Sequence, residues 1–137
     1  MKNPQEKNKY QPIPIEIEQA AAKVVHAAYL VHVALGPGLL ESMYEECLAR
    51  ELIQQGVEVK RQFALPVVYN ETTLDATLRI DLLVNDCLVV EVKAVENLLP
   101  VHRAQLLTYL KITGYRLGLL INFNVARIKY GIKRVVL

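Results

Sequence analysis

Arg79-Ile80-Asp81-Leu82-Leu83-Val84-Asn85-Asp86-Cys87-Leu88-Val89-Val90-Glu91-Val92-Lys93 is the stretch that decides the fold. Apolar runs over residues 74–84 and 88–94 flank a polar break at Asn85-Asp86-Cys87. That pattern predicts two antiparallel strands joined by a tight turn. A two-residue Asn85-Asp86 turn would set Asp81 opposite Val90 and mix charged with apolar side chains on both faces, at a cost in desolvation. A three-residue loop, or a bulge, sets Asp81 opposite Glu91. One face is then Ile80, Leu82, Val84, Leu88, Val90 and Val92, all apolar. The other is Arg79, Asp81, Leu83, Val89, Glu91 and Lys93. The second register is the one expected, and it brings two carboxylates and a lysine together.

Upstream, Ile17, Ala21, Val24, Val25, Ala28 and Val31 recur at helical spacing and predict a helix over residues 15–35. Gly36-Pro37-Gly38 stops it, because proline cannot continue the hydrogen-bond ladder. A second helix is expected over residues 39–55, closed by Gly56. Residues 57–63 and 65–69 read as strand, continued or restarted, before an Asn70-Glu71 turn. Downstream, Pro100 opens and Gly114 closes a helix over residues 100–113. Strands follow over 116–123 and 128–136. The predicted order is two helices, four strands, a helix and two strands. That is an α/β chain with a central mixed β-sheet flanked by helices. Residues 1–14 hold three of the six prolines and are expected to be a flexible N-terminal arm ahead of a single domain over 15–137.

The composition sets outer bounds. At 137 residues, 53% hydrophobic and 22% charged, the chain has the makings of one cored domain, which excludes disordered and collagen-like classes. Cys47 and Cys87 stand forty apart without a CxxC spacing and build neither a disulfide framework nor a zinc knuckle. The longest apolar stretch, residues 20–35, carries Lys23, His26 and His32 and falls short of the roughly 20 residues of a membrane span. With a polar start, the expectation is a soluble cytoplasmic protein with no membrane partner. Charge is uneven: residues 1–110 are net −4, whereas 111–137 hold Lys111, Arg116, Arg127, Lys129, Lys133 and Arg134 and no acid. Such an end suits phosphate, and suits solvated strand faces equally well.

Two readings of the hairpin stand side by side. Asp81 or Glu91 could pair with Lys93 or Arg79 across a solvated sheet face. Alternatively, the carboxylates hold a divalent cation, since hard cations such as Mg²⁺ take one or two carboxylates with waters. The lysine then orients or deprotonates a water that attacks a phosphoryl group. On the second helix, Glu41, Tyr44, Leu48 and Leu52 share one face, so Glu41 heads a stripe expected to pack inward. It either favours the helix dipole or adds a carboxylate beside the metal. Gln105 and Tyr109, four apart, present an amide and a phenol on one helix face. His26, His32 and His102 have no ligand partner at helical spacing and read as structural, with His32 expected to bond near the Gly36–Gly38 turn.

Gly38-Leu39-Leu40-Glu41-Ser42-Met43-Tyr44 resembles the GxxExxY signature of a family of small bacterial and archaeal proteins. Asp81 with Glu91-Val92-Lys93 is similar to the catalytic core of the PD-(D/E)XK nuclease superfamily. The Gln105–Tyr109 stretch resembles the QxxxY motif of its exonuclease branch. Likeness extends through His32, Leu65-Pro66-Val67-Val68-Tyr69, Pro100-Val101-His102 and Leu119-Leu120-Ile121-Asn122-Phe123, over residues 15–137; Ile80 replaces the superfamily's proline. The resemblance implies a restriction-endonuclease-like core and a Mg²⁺-dependent nuclease, with Mn²⁺ as a substitute. Asp81, Glu91, Glu41 and the Val92 carbonyl would hold the metal, Lys93 would handle the water, and Gln105 and Tyr109 would meet the phosphate. Lys111, Arg116 and the other basic residues of the C-terminal end would guide a nucleic-acid backbone, DNA being favoured over RNA. A homodimer or another partner would complete the groove. The alternative is a noncatalytic nucleic-acid-binding or assembly module that keeps the nuclease fold.

Overall fold

The computed structural model describes residues 11–137; the first ten residues of the expected N-terminal arm lie outside it. Helix α1 spans Ile15–Leu35 and α2 spans Glu41–Gln54. Strands β1 (Val59–Tyr69), β2 (Thr72–Val84) and β3 (Leu88–Lys93) follow, then α3 (Pro100–Thr113) and β4 (Leu117–Asn122). A short 3₁₀ turn (Ile128–Tyr130) leads to β5 (Ile132–Val136). The five strands form one sheet in the order β1-β2-β3-β4-β5. β3 and β4 run parallel, because α3 carries the chain across between them; the other described neighbours are antiparallel.

The upstream strand does not restart. Residues 59–69 make one strand whose register shifts between Pro66 and Val68, so three strands, not four, precede α3. Proline is tolerated there because β1 is an edge strand, where a missing N–H breaks no ladder. Helix α2 begins two residues later than expected, for a reason given below.

Helices cover both faces. Leu82, Val84, Leu88, Val90, Val92, Leu117, Leu119 and Ile121 pack against α1 and α2, meeting Val24, Ala28, Tyr44, Leu48 and Leu52. On the other face Leu83, Val89, Leu120 and Val135 pack under Leu106 and Leu110 of α3. Leu83 and Val89, expected beside charged groups on an open face, are thus buried, and α3 is what buries them. Among the described residues no helix is long and apolar enough to cross a membrane.

Candidate active site

The expected hairpin register forms: Leu82 pairs with Val90, Leu83 with Val89 and Val84 with Leu88 across the three-residue turn, so Asp81 falls opposite Glu91. At that point the ladder opens. On the other side β2 pairs with β1 at Arg61–Leu82 and Phe63–Ile80 but skips Gln62 and Asp81. Gln62 is held at φ 48°, a left-handed conformation that costs a non-glycine residue energy. Asp81 therefore sits where both ladders part, and carboxylates take the place of carbonyl acceptors. The Asp81 N–H donates to Glu91 Oε1 (3.2 Å), and the Val92 N–H donates to Asp81 Oδ2 (2.9 Å).

The opening breaks the alternation assumed above. Ile80 packs with Leu83 and Val89 under α3, not with Leu82 and Val84. Asp81 lines a cleft of about 370 Å³ with Leu40, Glu41, Ser42, Glu45 and Gln62. Lys93 lines a second cavity, of about 580 Å³, with Val101, His102, Ala104, Gln105 and Thr108. Among the described residues, Asp81, Glu91, Lys93 and Arg79 make no salt bridge. The cross-strand ion pairs weighed from sequence do not form.

Glu41 reaches this place through a local tie. The Tyr44 hydroxyl donates to Gly36 O (2.6 Å) and accepts from the Leu39 N–H (3.0 Å). Its ring, fully buried, stacks on Phe123 at 4.6 Å. The phenol therefore holds residues 36–39 outside the helix, and α2 starts at Glu41. Tyr44, Leu48 and Leu52 pack inward as expected, but Glu41 itself is exposed at the cleft rather than packed inward. Its carboxylate accepts the Ala94 N–H.

Two residues of the cleft were missed in the sequence. Glu45 is 6% exposed; it accepts from Arg61 Nη2 (3.3 Å) and from the Gln62 amide, which also donates to Asp81 Oδ1 (3.3 Å). Glu45 stands one helical turn after Glu41, a spacing that could have been noticed. Gln62 gives no such signal, because its role depends on a skipped ladder position.

Gln105 donates to the Tyr109 hydroxyl (3.0 Å), and Tyr109 lies near enough to Glu91 and Asp81 to feel both charges. Lys111 and Arg116 are not brought to the site. β3 and β4 are parallel, with Lys93 beside Asn122, so Arg116, which precedes Leu117, is at the opposite end of the sheet. There it donates to Leu137 O and Gln11 O. Lys111 ends α3 near that same edge. His32 donates from Nε2 to Val125 O (2.8 Å) rather than bonding near the glycine turn, and His102 Nδ1 accepts the Leu99 N–H (3.0 Å).

Glu91 is 5% exposed, and its carboxyl is pushed up to about 8, first by burial and then by the Asp81 charge, with Lys93 pulling the other way. Partial burial of its carboxyl at the cleft wall also raises Glu41, reinforced by Asp81 and Glu45 against Lys93 and the Ala94 N–H. Burial likewise raises Tyr109, with Glu91 and Asp81 adding to it. This is a concentration of acidic groups whose ionised forms repel one another, and a divalent cation would favour those ionised forms. Among the described residues no three His, Cys, Asp or Glu side chains are grouped so that they could hold a metal ion, so Glu41, Asp81 and Glu91 do not come together as the three-carboxylate set that the resemblance implies. The donor set fits a hard cation that keeps waters and takes substrate phosphate as ligand, and does not fit a closed protein cage.

A five-stranded mixed sheet flanked by three helices, with an aspartate and a Glu-x-Lys pair at an opened ladder, is consistent with a restriction-endonuclease-like core. The family model described as PD-(D/E)XK nuclease superfamily matches residues 18–135, and the chain belongs to that superfamily. Its members are generally nucleases and typically use divalent metals. No curated protein and no solved structure matches the chain.

Proposed function

We infer that this chain is a Mg²⁺-dependent nuclease that hydrolyses phosphodiester bonds, built as a single domain over residues 15–137. The observation that carries the reading is the Asp81–Glu91 carboxylate pair at the open ladder, with Lys93 nearby and free of any salt bridge among the described residues. Within the superfamily, Gly38, Glu41 and Tyr44 support a place among the GxxExxY proteins.

Asp81 and Glu91 would hold the cation, with Glu41 and the Val92 carbonyl beside them. When bound, it supplies charge neutralisation at the phosphoryl oxygens and a more acidic water. Lys93 orients or deprotonates the water that attacks phosphorus in line, while the bond to the leaving oxygen breaks. Gln105 steadies the phosphate from α3, and Tyr109 supports Gln105.

The test is Mg²⁺ and Mn²⁺ titration by calorimetry, followed by cleavage of DNA and RNA, on wild type and on Asp81→Ala, Glu91→Ala and Lys93→Ala. Both carboxylate variants should lose metal binding, and all three should lose cleavage by at least about a hundredfold while still melting cooperatively. Cleavage that survives in folded variants would overturn the assignment. Nucleic-acid binding without cleavage in either metal would favour the noncatalytic module.

A further inference from the structure

The cleft raises a question of its own. Glu41, Glu45 and Asp81 line it, with Glu91 behind, so a polyanionic substrate needs cations elsewhere to hold it. Of the six basic groups in residues 111–137, Lys111 and Arg116 sit at the opposite end of the sheet. Arg134 is engaged in two bonds to Glu18 (3.0 and 2.7 Å), and Lys133, exposed, stands on edge strand β5 beside Leu120. Arg127 and Lys129 are exposed and in no salt bridge among the described residues. Together with Tyr29, His32 and Val33 of α1 they line a cavity of about 400 Å³.

That cavity lies at the catalytic end. Asn122 pairs with Lys93 in the parallel ladder, and the Phe123 N–H donates to Lys93 O (2.9 Å). Asn122 and Val95 exchange two hydrogen bonds (3.0 and 2.9 Å). The segment that leads to Arg127 and Lys129 therefore starts beside the proposed catalytic lysine. His32 ties α1 to the same segment through Val125 O. Along the chain, residues 34–39 are all that separates Val33 of the cavity from Leu40 of the acidic cleft.

We propose that Arg127 and Lys129, over a floor made by Tyr29 and Val33, form a groove for the sugar-phosphate backbone of a nucleic acid entering or leaving the cleft. The inference rests on a nucleic-acid substrate and narrows the backbone contact expected of the whole basic end, Lys111 and Arg116 included, to this edge. Arginine offers a planar fork to phosphate oxygens and lysine a mobile point charge, a pairing that grips a backbone without reading sequence.

The experiment is fluorescence anisotropy with labelled single-stranded and duplex DNA in EDTA, so that nothing is cut, across a salt series. Arg127→Ala/Lys129→Ala should bind roughly tenfold more weakly at moderate salt. Its log–log salt slope should be shallower by about 1.4 on single strands or about 1.8 on duplex, the release expected for two phosphate contacts. Lys111→Ala, which removes an exposed cation at the opposite end, should keep the wild-type slope. A double variant with the wild-type slope, or an equal flattening in Lys111→Ala, would overturn the groove. Metal-dependent cleavage, measured separately, tests the nuclease reading. Wild type that binds through Arg127 and Lys129 yet cuts nothing would leave the groove standing and remove the catalysis; an equally active double variant with unchanged binding would do the reverse.

Discussion

Glu91 holds a proton in the folded chain over a range where an unfolded chain has released it, because burial and Asp81 push its carboxyl from 4.5 up to about 8. Between those values the folded state binds more protons than the unfolded one, so stability falls as pH rises. Thermal melts in EDTA should show wild-type Tm declining across that window. Glu91→Gln should be flat there and more stable near pH 8 by on the order of 1–3 kcal/mol. Parallel curves for the two chains would remove the burial effect. Gln62 makes a different kind of test, since its φ of 48° suits glycine. Gln62→Gly relieves the backbone but loses the amide that links Glu45 to Asp81. Melting should stay within a few degrees of wild type, by the near balance of those two effects, each about 1 kcal/mol. Calorimetry should then show Mg²⁺ binding weakened several-fold; unchanged affinity would reduce Gln62 to a backbone irregularity.

At the scale of elements, α3 and β4 meet through a missing side chain. A Cβ on Gly118 would come within 2.8 Å of Leu106 Cδ1, so Gly118→Ala must displace Leu106 or lift α3. Overpacking of that kind should cost about 1–3 kcal/mol, read as a lower denaturant midpoint. Because α3 carries Gln105, the variant should also cut more slowly. A midpoint equal to wild type would show that Leu106 rotates away freely. Helices α1 and α3 were legible because Gly36-Pro37-Gly38, Pro100 and Gly114 punctuate them. The hairpin register was legible because only one alignment separates charge from apolar surface. The start of α2 was not, since the Tyr44 hydroxyl reaches back five residues to Leu39 and eight to Gly36. Ile80 and Gln62 were misread or missed for a shared reason. Alternation assumes an unbroken ladder, and the ladder breaks at Asp81.

Across the whole molecule, order is unevenly shared. β3 and β4 lie in the middle of the sheet with helices over both faces, whereas among the described residues the outer half of the β1–β2 hairpin has no third strand beside it. Val68, Tyr69 and Leu74 near its tip are exposed. Hydrogen exchange should therefore be slowest at residues 88–92 and 117–121 and fastest around 66–77, with the carboxylate pair near the boundary. Uniform protection along β2 would show that the arm is held by something further. The stacking of Tyr44 on Phe123 has a consequence for synthesis. A chain emerging from the ribosome can close the Asp81–Glu91 hairpin early, because those residues are near neighbours in sequence. The turn that places Glu41 gains its aromatic backing only once Phe123 has been made and has docked. A nascent chain is then a hairpin with an unfinished wall, and any cutting power arrives only after Phe123 has been translated and has docked.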